Sequence, residues 1–309
     1  MRVIFMGSPD FALPTLRVLS QGFDLIGVVT QPDRPSGRGR KIASSPVKLA
    51  SLDLGITPLQ PKRLSDPAIQ SQLQRLEPQV IVVAAFGQIL PPSVLEIPSC
   101  GCVNVHASLL PRWRGASPTQ AAILHGDMDT GVTIMKMDAG LDTGPIISKV
   151  STPILPEETG GGLSARLASL GAQLLQETLT PYCEGQVSPV PQNDALATSA
   201  PMLTKLDGIL DWGKPAAALA LQVRAFEPWP RSFFQWQDRR IVVRKAHSLP
   251  MDDVAVGRVS LAGYLPVVGT SSGGLVLEIL QPAGRKPMPG DAFLNGSPSF
   301  LGCNLELHP

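Results

Sequence analysis

Three side chains of this 309-residue chain have the types needed for acid–base chemistry. Asn104 and His106 stand two apart in Cys102-Val103-Asn104-Val105-His106, and in an extended strand that spacing puts both on one face. Asp142 follows 36 residues after His106, inside Gly140-Leu141-Asp142-Thr143-Gly144, where the flanking glycines predict a tight turn. An imidazole can carry a proton near neutral pH, a carboxylate can orient it and stabilise its cation, and a carboxamide can donate to a developing oxyanion. Each residue alone has a plainer reading: a structural strand-end histidine, a turn-forming asparagine, an Asx-turn aspartate. Beside the polar loop Ala107-Ser108-Leu109-Leu110-Pro111-Arg112-Trp113-Arg114-Gly115, which is not expected to pack as core, the three together form a candidate acid–base site.

The elements that must position them read as an α/β domain. Apolar runs predict strands over 3–6, 25–30, 80–85, 102–106 and 132–137, and their near-continuous hydrophobicity suits a parallel sheet covered on both faces. Helical patterns lie between them at 11–20, 46–54, 67–76 and 118–125, with another at 162–178. This alternation predicts a Rossmann-like, doubly wound sheet whose ligands bind beyond the carboxyl ends of the strands. The character changes near residue 185. A stretch with Pro189, Pro191 and Pro201 predicts an extended linker over 186–205, between a domain of residues 1–185 and another of 206–309. After a helix at 215–226, short runs at 233–237, 240–245, 265–269 and 275–280 predict a small antiparallel β-barrel, OB-like in type.

Composition narrows the classes. There are 26 Lys and Arg against 25 Asp and Glu, a formal net charge of +1 that excludes nucleic-acid binding through bulk charge alone. With 29 Gly and 31 Pro the chain stays below the roughly 25–30% at which disorder is the default, so a packed core is expected. Four scattered cysteines, Cys100, Cys102, Cys183 and Cys303, make neither a disulfide framework nor a zinc site, and read as reduced thiols. No signal-type segment or apolar run of about 18 residues is found, so a cytoplasmic protein without a membrane span is expected. Cys102 has no context for an activated thiolate, and Ser108 lies outside a nucleophile elbow. The turn Gly7-Ser8-Pro9-Asp10 lacks the glycine pattern of a dinucleotide site.

The segments Asn-Val-His-Ala-Ser-Leu-Leu-Pro-Arg-Trp-Arg-Gly-Ala and Gly-Val-Thr-Ile-Met-Lys-Met-Asp-Ala-Gly-Leu-Asp-Thr-Gly resemble those of the formyltetrahydrofolate-dependent formyltransferases. Three further segments are similar to the branch that formylates methionyl-tRNA. They are the insertion Thr30-Gln-Pro-Asp-Arg-Pro-Ser-Gly-Arg-Gly-Arg-Lys41, the segment Lys205-Leu206 with Ile209-Leu210-Asp211-Trp212, and Arg224-Ala-Phe-Glu-Pro-Trp-Pro230. The resemblance runs from Phe5 to about Gly284 and leaves the last ~20 residues without a role. It implies a metal-independent acyl transfer from 10-formyltetrahydrofolate to the α-amine of methionine on initiator tRNA, with Asn104, His106 and Asp142 as the catalytic trio. It further implies folate contacts from Ser108, Leu109, Leu110 and Pro111. Ala107, where the family often has Gly, and Pro145, where it often has an acidic residue, are departures beside the folate pocket rather than in the trio.

The same resemblance makes the basic insertion, with Arg34, Arg38, Arg40, Lys41 and Lys48 against Asp33, a tRNA-binding loop with Arg38 reaching the acceptor stem. The second domain adds Arg224, Arg231, Arg239, Arg240, Arg244 and Lys245 against Glu227 and Asp238. Trp229, Phe233, Phe234 and Trp236, interleaved with them, are expected to be core rather than base-stacking platforms. A monomer is expected. Two enzyme readings share the trio, a formyltransferase acting on an amino-sugar nucleotide and a formyltetrahydrofolate hydrolase, but neither explains the basic insertion. A non-catalytic RNA-binding module would need neither the trio nor the Ser-Leu-Leu-Pro loop.

Overall fold

Apolar runs become central strands here because both faces of the sheet are covered. The computed structural model describes residues 1–36, 41–252 and 255–305, with residues 35, 36 and 41 described by their backbone alone. The chain divides into two compact units, Met1–Pro118, Asp129–Pro153 and Ser164–Ala200 in the first, and Thr119–Met128, Ile154–Leu163 and Pro201–Pro309 in the second.

The first unit contains strands β1 (Arg2–Gly7), β2 (Asp24–Val29), β3 (Arg34–Ser36), β4 (Lys41–Ala43), β5 (Val80–Ala84), β6 (Cys102–His106), β7 (Arg114–Gly115), β8 (Asp129–Lys136), β9 (Ile146–Pro153) and β10 (Ser199–Ala200). Its helices are α1 (Leu13–Gly22), α2 (Pro46–Asp53), α3 (Pro67–Arg75) and α4 (Pro92–Leu95); α5 (Pro118–Leu124) and α6 (Gly160–Cys183) run across the unit divisions. Local chemistry starts the helices: Ser45 Oγ accepts from Lys48 N at 3.1 Å ahead of Pro46, and Asp66 Oδ1 accepts from Ala68 N at 2.9 Å ahead of Pro67.

Among the described residues six strands form one sheet in the order β2-β1-β5-β6-β8-β9. The first four are parallel, as the alternation of strands and helices requires. The expectation of a parallel strand at 132–137 is corrected: β8 runs antiparallel to both β6 and β9. It is joined to β9 as a hairpin across residues 137–145, and hairpin strands cannot be parallel. Sequence reading missed β9, whose exposed Lys149 and Ser151 alternate with more buried neighbours as befits an edge strand with one wet face. Ile4, Met6, Ile81, Val83, Leu73 and Phe86 build the core on one side of this sheet. The stretch read as a linker is extended but tied to the first unit as far as Ala200: Val190 pairs with Ile146 through two 2.8 Å backbone bonds, and β10 pairs with β7.

The second unit holds α7 (Ala216–Ala225), β11 (Ser232–Trp236), β12 (Arg239–Leu249), β13 (Val259–Ala262), β14 (Leu265–Gly269), β15 (Gly274–Pro282), β16 (Met288–Pro289) and α8 (Gly290–Gly296). The strands are antiparallel in the order β11-β12-β15-β14-β13, with β16 against β15. Trp212, Phe234 and Phe300 are buried at its centre, and Trp236 and Phe293 pack edge-on against Phe300 at 5.1 Å. The last residues therefore have a structural job, since Phe293 and Phe300 close the core. Of the four aromatics near the basic run, Phe233 and Phe234 are buried and Trp236 packs on the core, whereas Trp229 is exposed.

Candidate active site

Strand alternation places Asn104 and His106 on the same face of β6, at its carboxyl end, and the β8–β9 hairpin brings Asp142 over them. His106 is buried, with Nε2 3.0 Å from the backbone oxygen of Trp113. A carbonyl only accepts, so Nε2 carries the hydrogen and a neutral ring keeps its lone pair on Nδ1. That nitrogen is 3.7 Å from Asp142 Oδ2, close enough for charge stabilisation of an imidazolium and beyond hydrogen-bond length. Asn104 Nδ2 donates to Asp142 Oδ1 at 3.5 Å, a long bond that a better acceptor can displace. Asp142 Oδ2 accepts from the Gly115 backbone N–H at 2.8 Å. The three residues chosen from sequence thus converge.

The backbone partners were not foreseen. Trp113 supplies the carbonyl that sets the histidine tautomer, and Gly115 supplies the amide that holds the carboxylate. Trp113 and Asp142 both adopt left-handed backbone, with φ of 62° and 53°, a conformation costing of order 1–3 kcal/mol for residues other than glycine and concentrated at functional sites. Gly115 has φ of 124°, and a Cβ there would stand 2.4 Å from the Ala200 carbonyl oxygen. This close approach lets β7 lie against β10. A composition signal for these roles exists only at Gly115, because backbone groups look the same in every residue.

The loop that was expected to stay out of the core instead turns inward. Ser108 and Leu110 are fully buried and Trp113 nearly so. The Ser108 hydroxyl donates to Arg112 O at 2.6 Å. Thr133, opposite His106 in the β6–β8 register, donates to Ser108 O at 2.7 Å and accepts from Leu110 N at 3.1 Å. These bonds explain why the loop packs: its polar groups are satisfied within it and by Thr133 of β8. Leu109 and Pro111 remain half-buried. Cys102, two residues before Asn104, is buried, and its desolvation pushes the thiol up to about 12, which removes it as a thiolate nucleophile.

The basic insertion is rooted on the same unit. β3 and β4 form an antiparallel ribbon, and Arg34 is exposed, donating to Gln31 Oε1 at 2.8 Å. Arg38 and Arg40 lie outside the described residues, and Lys41 is described only as backbone in β4. Lys48 is engaged with Asp33 at 2.6 Å, and Gln60 adds a 2.9 Å bond. Lys48 and then Gln60 hold the Asp33 carboxyl below its ordinary range. In the second unit, Arg244 pairs with Glu227 at 2.6 Å, Lys245 with Glu278 at 3.2 Å, and Arg240 covers the Phe233 ring at 3.6 Å. Arg244 and Lys245 are thus ion-paired within the unit. Among the described residues no group of three or more His, Cys, Asp or Glu side chains is arranged to hold a metal ion, and no helix is long and apolar enough to cross a membrane.

Comparison with known proteins matches residues 1–179 to the formyl transferase family and residues 202–298 to the formyl transferase C-terminal domain. Methionyl-tRNA formyltransferase of Geobacter metallireducens is 44% identical over 98% of this chain and 96% of its own. The Marinobacter nauticus protein of the same name is 43% identical over the whole of both chains, and that of Xylella fastidiosa 47% over 96% and 97%. Among solved structures, an N-formyltransferase from Helicobacter canadensis in complex with folinic acid and dTDP-3-aminofucose has a TM-score of 0.67 at 16% identity, covering 89% of this chain and 98% of its own. HypX from Aquifex aeolicus gives 0.62 at 15%, over 95% of this chain and 48% of its own. Likeness at that identity speaks to the fold alone.

Proposed function

The chain belongs to the formyl transferase family, and from that premise we propose that it transfers the formyl group of 10-formyltetrahydrofolate to the α-amine of methionine esterified to initiator tRNA. The observation that carries the chemistry is the meeting of Asn104 Nδ2, His106 Nδ1 and the Asp142 carboxylate around one point. This donor set fits an acyl donor: one N–H for an oxyanion, one basic nitrogen for a proton, and no thiolate to form an acyl-enzyme. 10-Formyltetrahydrofolate supplies the formyl group as an acylated nitrogen. Leu109 and Pro111, which stay half-buried, would hold it beside β6, with Ser108 and Leu110 fixing the path of the loop through their bonds to Arg112 and Thr133.

His106 takes the proton from the attacking amine on Nδ1, while Nε2–H stays bonded to Trp113 O. Asp142 stabilises the resulting imidazolium by charge across 3.7 Å. Asn104 turns its amide from Asp142 to the oxyanion that develops on the formyl oxygen. His106 then returns its proton toward the departing folate nitrogen. Arg34, Arg38, Arg40 and Lys41 would contact acceptor-stem phosphates, which set position rather than sequence choice. All the proposed catalytic side chains come from the first unit of one chain, so a monomer suffices, working in the cytoplasm with its tRNA.

The reading is tested by competition between acceptors. With 10-formyltetrahydrofolate in excess, methionyl-initiator tRNA should become N-formylated while a dTDP-amino sugar added alongside does not. Preferential formylation of the sugar would contradict the tRNA assignment and leave formyl transfer itself standing.

A further inference from the structure

Asp142 is gripped from a second direction by a residue outside the trio. Gln192, in the extended chain after α6, donates both amide hydrogens to the Asp142 loop, to Asp142 O at 2.8 Å and to Gly144 O at 2.7 Å. Its Oε1 accepts a pair of bonds from Arg114, at 3.0 Å from Nε and 2.9 Å from Nη2. Arg114 Nη2 also reaches Asp194 Oδ1 at 2.7 Å. Arg114 directly precedes Gly115, whose N–H holds the Asp142 carboxylate, and directly follows Trp113, whose carbonyl holds His106. A closed circuit therefore runs from Asp142 through Gln192 to Arg114 and back through Gly115.

From this circuit we infer that Gln192 is a positioning residue, fixing the left-handed backbone of Asp142 and so the direction of its carboxylate toward His106. The inference rests on the catalytic reading of Asp142 given above. A carboxamide is the side chain this place demands, since it presents two donors to the two carbonyls and an acceptor to the guanidinium at once. Glutamate would pair with Arg114 as an ion pair but would face two carbonyl oxygens with no hydrogen to give. The two possible jobs of Gln192, anchoring Arg114 and aiming Asp142, are thereby separated in one substitution.

The test is Gln192→Glu, with Gln192→Leu and the double variant Gln192→Glu with Asp142→Asn, measured for kcat, both KM values and thermal midpoint. We expect Gln192→Glu to lower kcat by roughly 10- to 100-fold, in the range found for residues that orient a functional group. Both KM values should stay within about twofold, and any fall in thermal midpoint should leave the enzyme folded at the assay temperature. Gln192→Leu should lose at least as much kcat. On the Asp142→Asn background the same glutamate should cost less than about threefold, because its target is already gone. Unchanged kcat in Gln192→Glu, a full multiplicative loss in the double variant, or an effect confined to KM would each overturn the inference. A wild-type chain that formylates no methionyl-tRNA would instead contradict the underlying function, and that control is read first.

Discussion

His106 has one nitrogen committed to the Trp113 carbonyl and the other facing Asp142, whose second oxygen accepts from Asn104. Replacing His106 with Ala removes the proposed proton carrier and should lower kcat by about 10²–10⁴-fold. Asn104→Ala removes the proposed oxyanion donor and should cost about 2.7–4 kcal/mol of barrier, again in kcat and with KM for both substrates little changed. Steady-state kinetics on both variants checks this; a loss carried mainly by KM would mean that these residues bind rather than catalyse. The trio could be chosen from sequence because the three types stand together beside the Ser-Leu-Leu-Pro loop, although each alone has a plainer structural reading. Trp113 could not, since it acts through a backbone atom, Gly115 offered only its glycine type, and Gln192 could not, since a glutamine in a proline-rich stretch carries no sign of the carbonyls it meets.

At the scale of elements, the site depends on β7 lying against β10 and on the β8–β9 hairpin folding over β6. Gly115→Ala should push β7 from β10, because the added carbon meets the Ala200 carbonyl and the φ of 124° is strained for any side chain. Denaturant unfolding should show destabilisation of about 1–3 kcal/mol, and kcat should fall with the loss of the Gly115–Asp142 bond. Thr133→Val keeps the volume but leaves Ser108 O and Leu110 N unpaired in the interior, a loss of about 1–3 kcal/mol accompanied by a raised KM for the folate substrate. An unchanged folate KM would separate the Ser-Leu-Leu-Pro loop from folate binding. The parallel half of the sheet was legible because buried strands read as unbroken apolar runs. The hairpin direction was not, because β9 alternates with solvent and only its pairing reveals which way β8 must run.

At the scale of the whole molecule, a formal charge of +1 conceals separation of sign along the chain. The insertion after β2 and the start of α2 carry five cations against Asp33, which pairs with Lys48, and in the cationic run of the second unit Arg244 and Lys245 pair with Glu227 and Glu278. The proposed tRNA contacts of the insertion are tested by substitution and by salt. Arg38→Ala should raise KM for charged tRNA several-fold and leave KM for the folate substrate unchanged, and rising salt should weaken the tRNA KM far more than the folate KM. Equal losses for both substrates would remove Arg38 from the tRNA surface. Following the label shows whether one site moves a formyl group from the folate nitrogen to the methionyl amine. With formyl-labelled 10-formyltetrahydrofolate supplied alongside methionyl-initiator tRNA, uncharged tRNA or water alone, the label should appear on the aminoacyl group only with the charged tRNA. Release as free formate at the same rate in all three mixtures would contradict the account and make the chain a hydrolase.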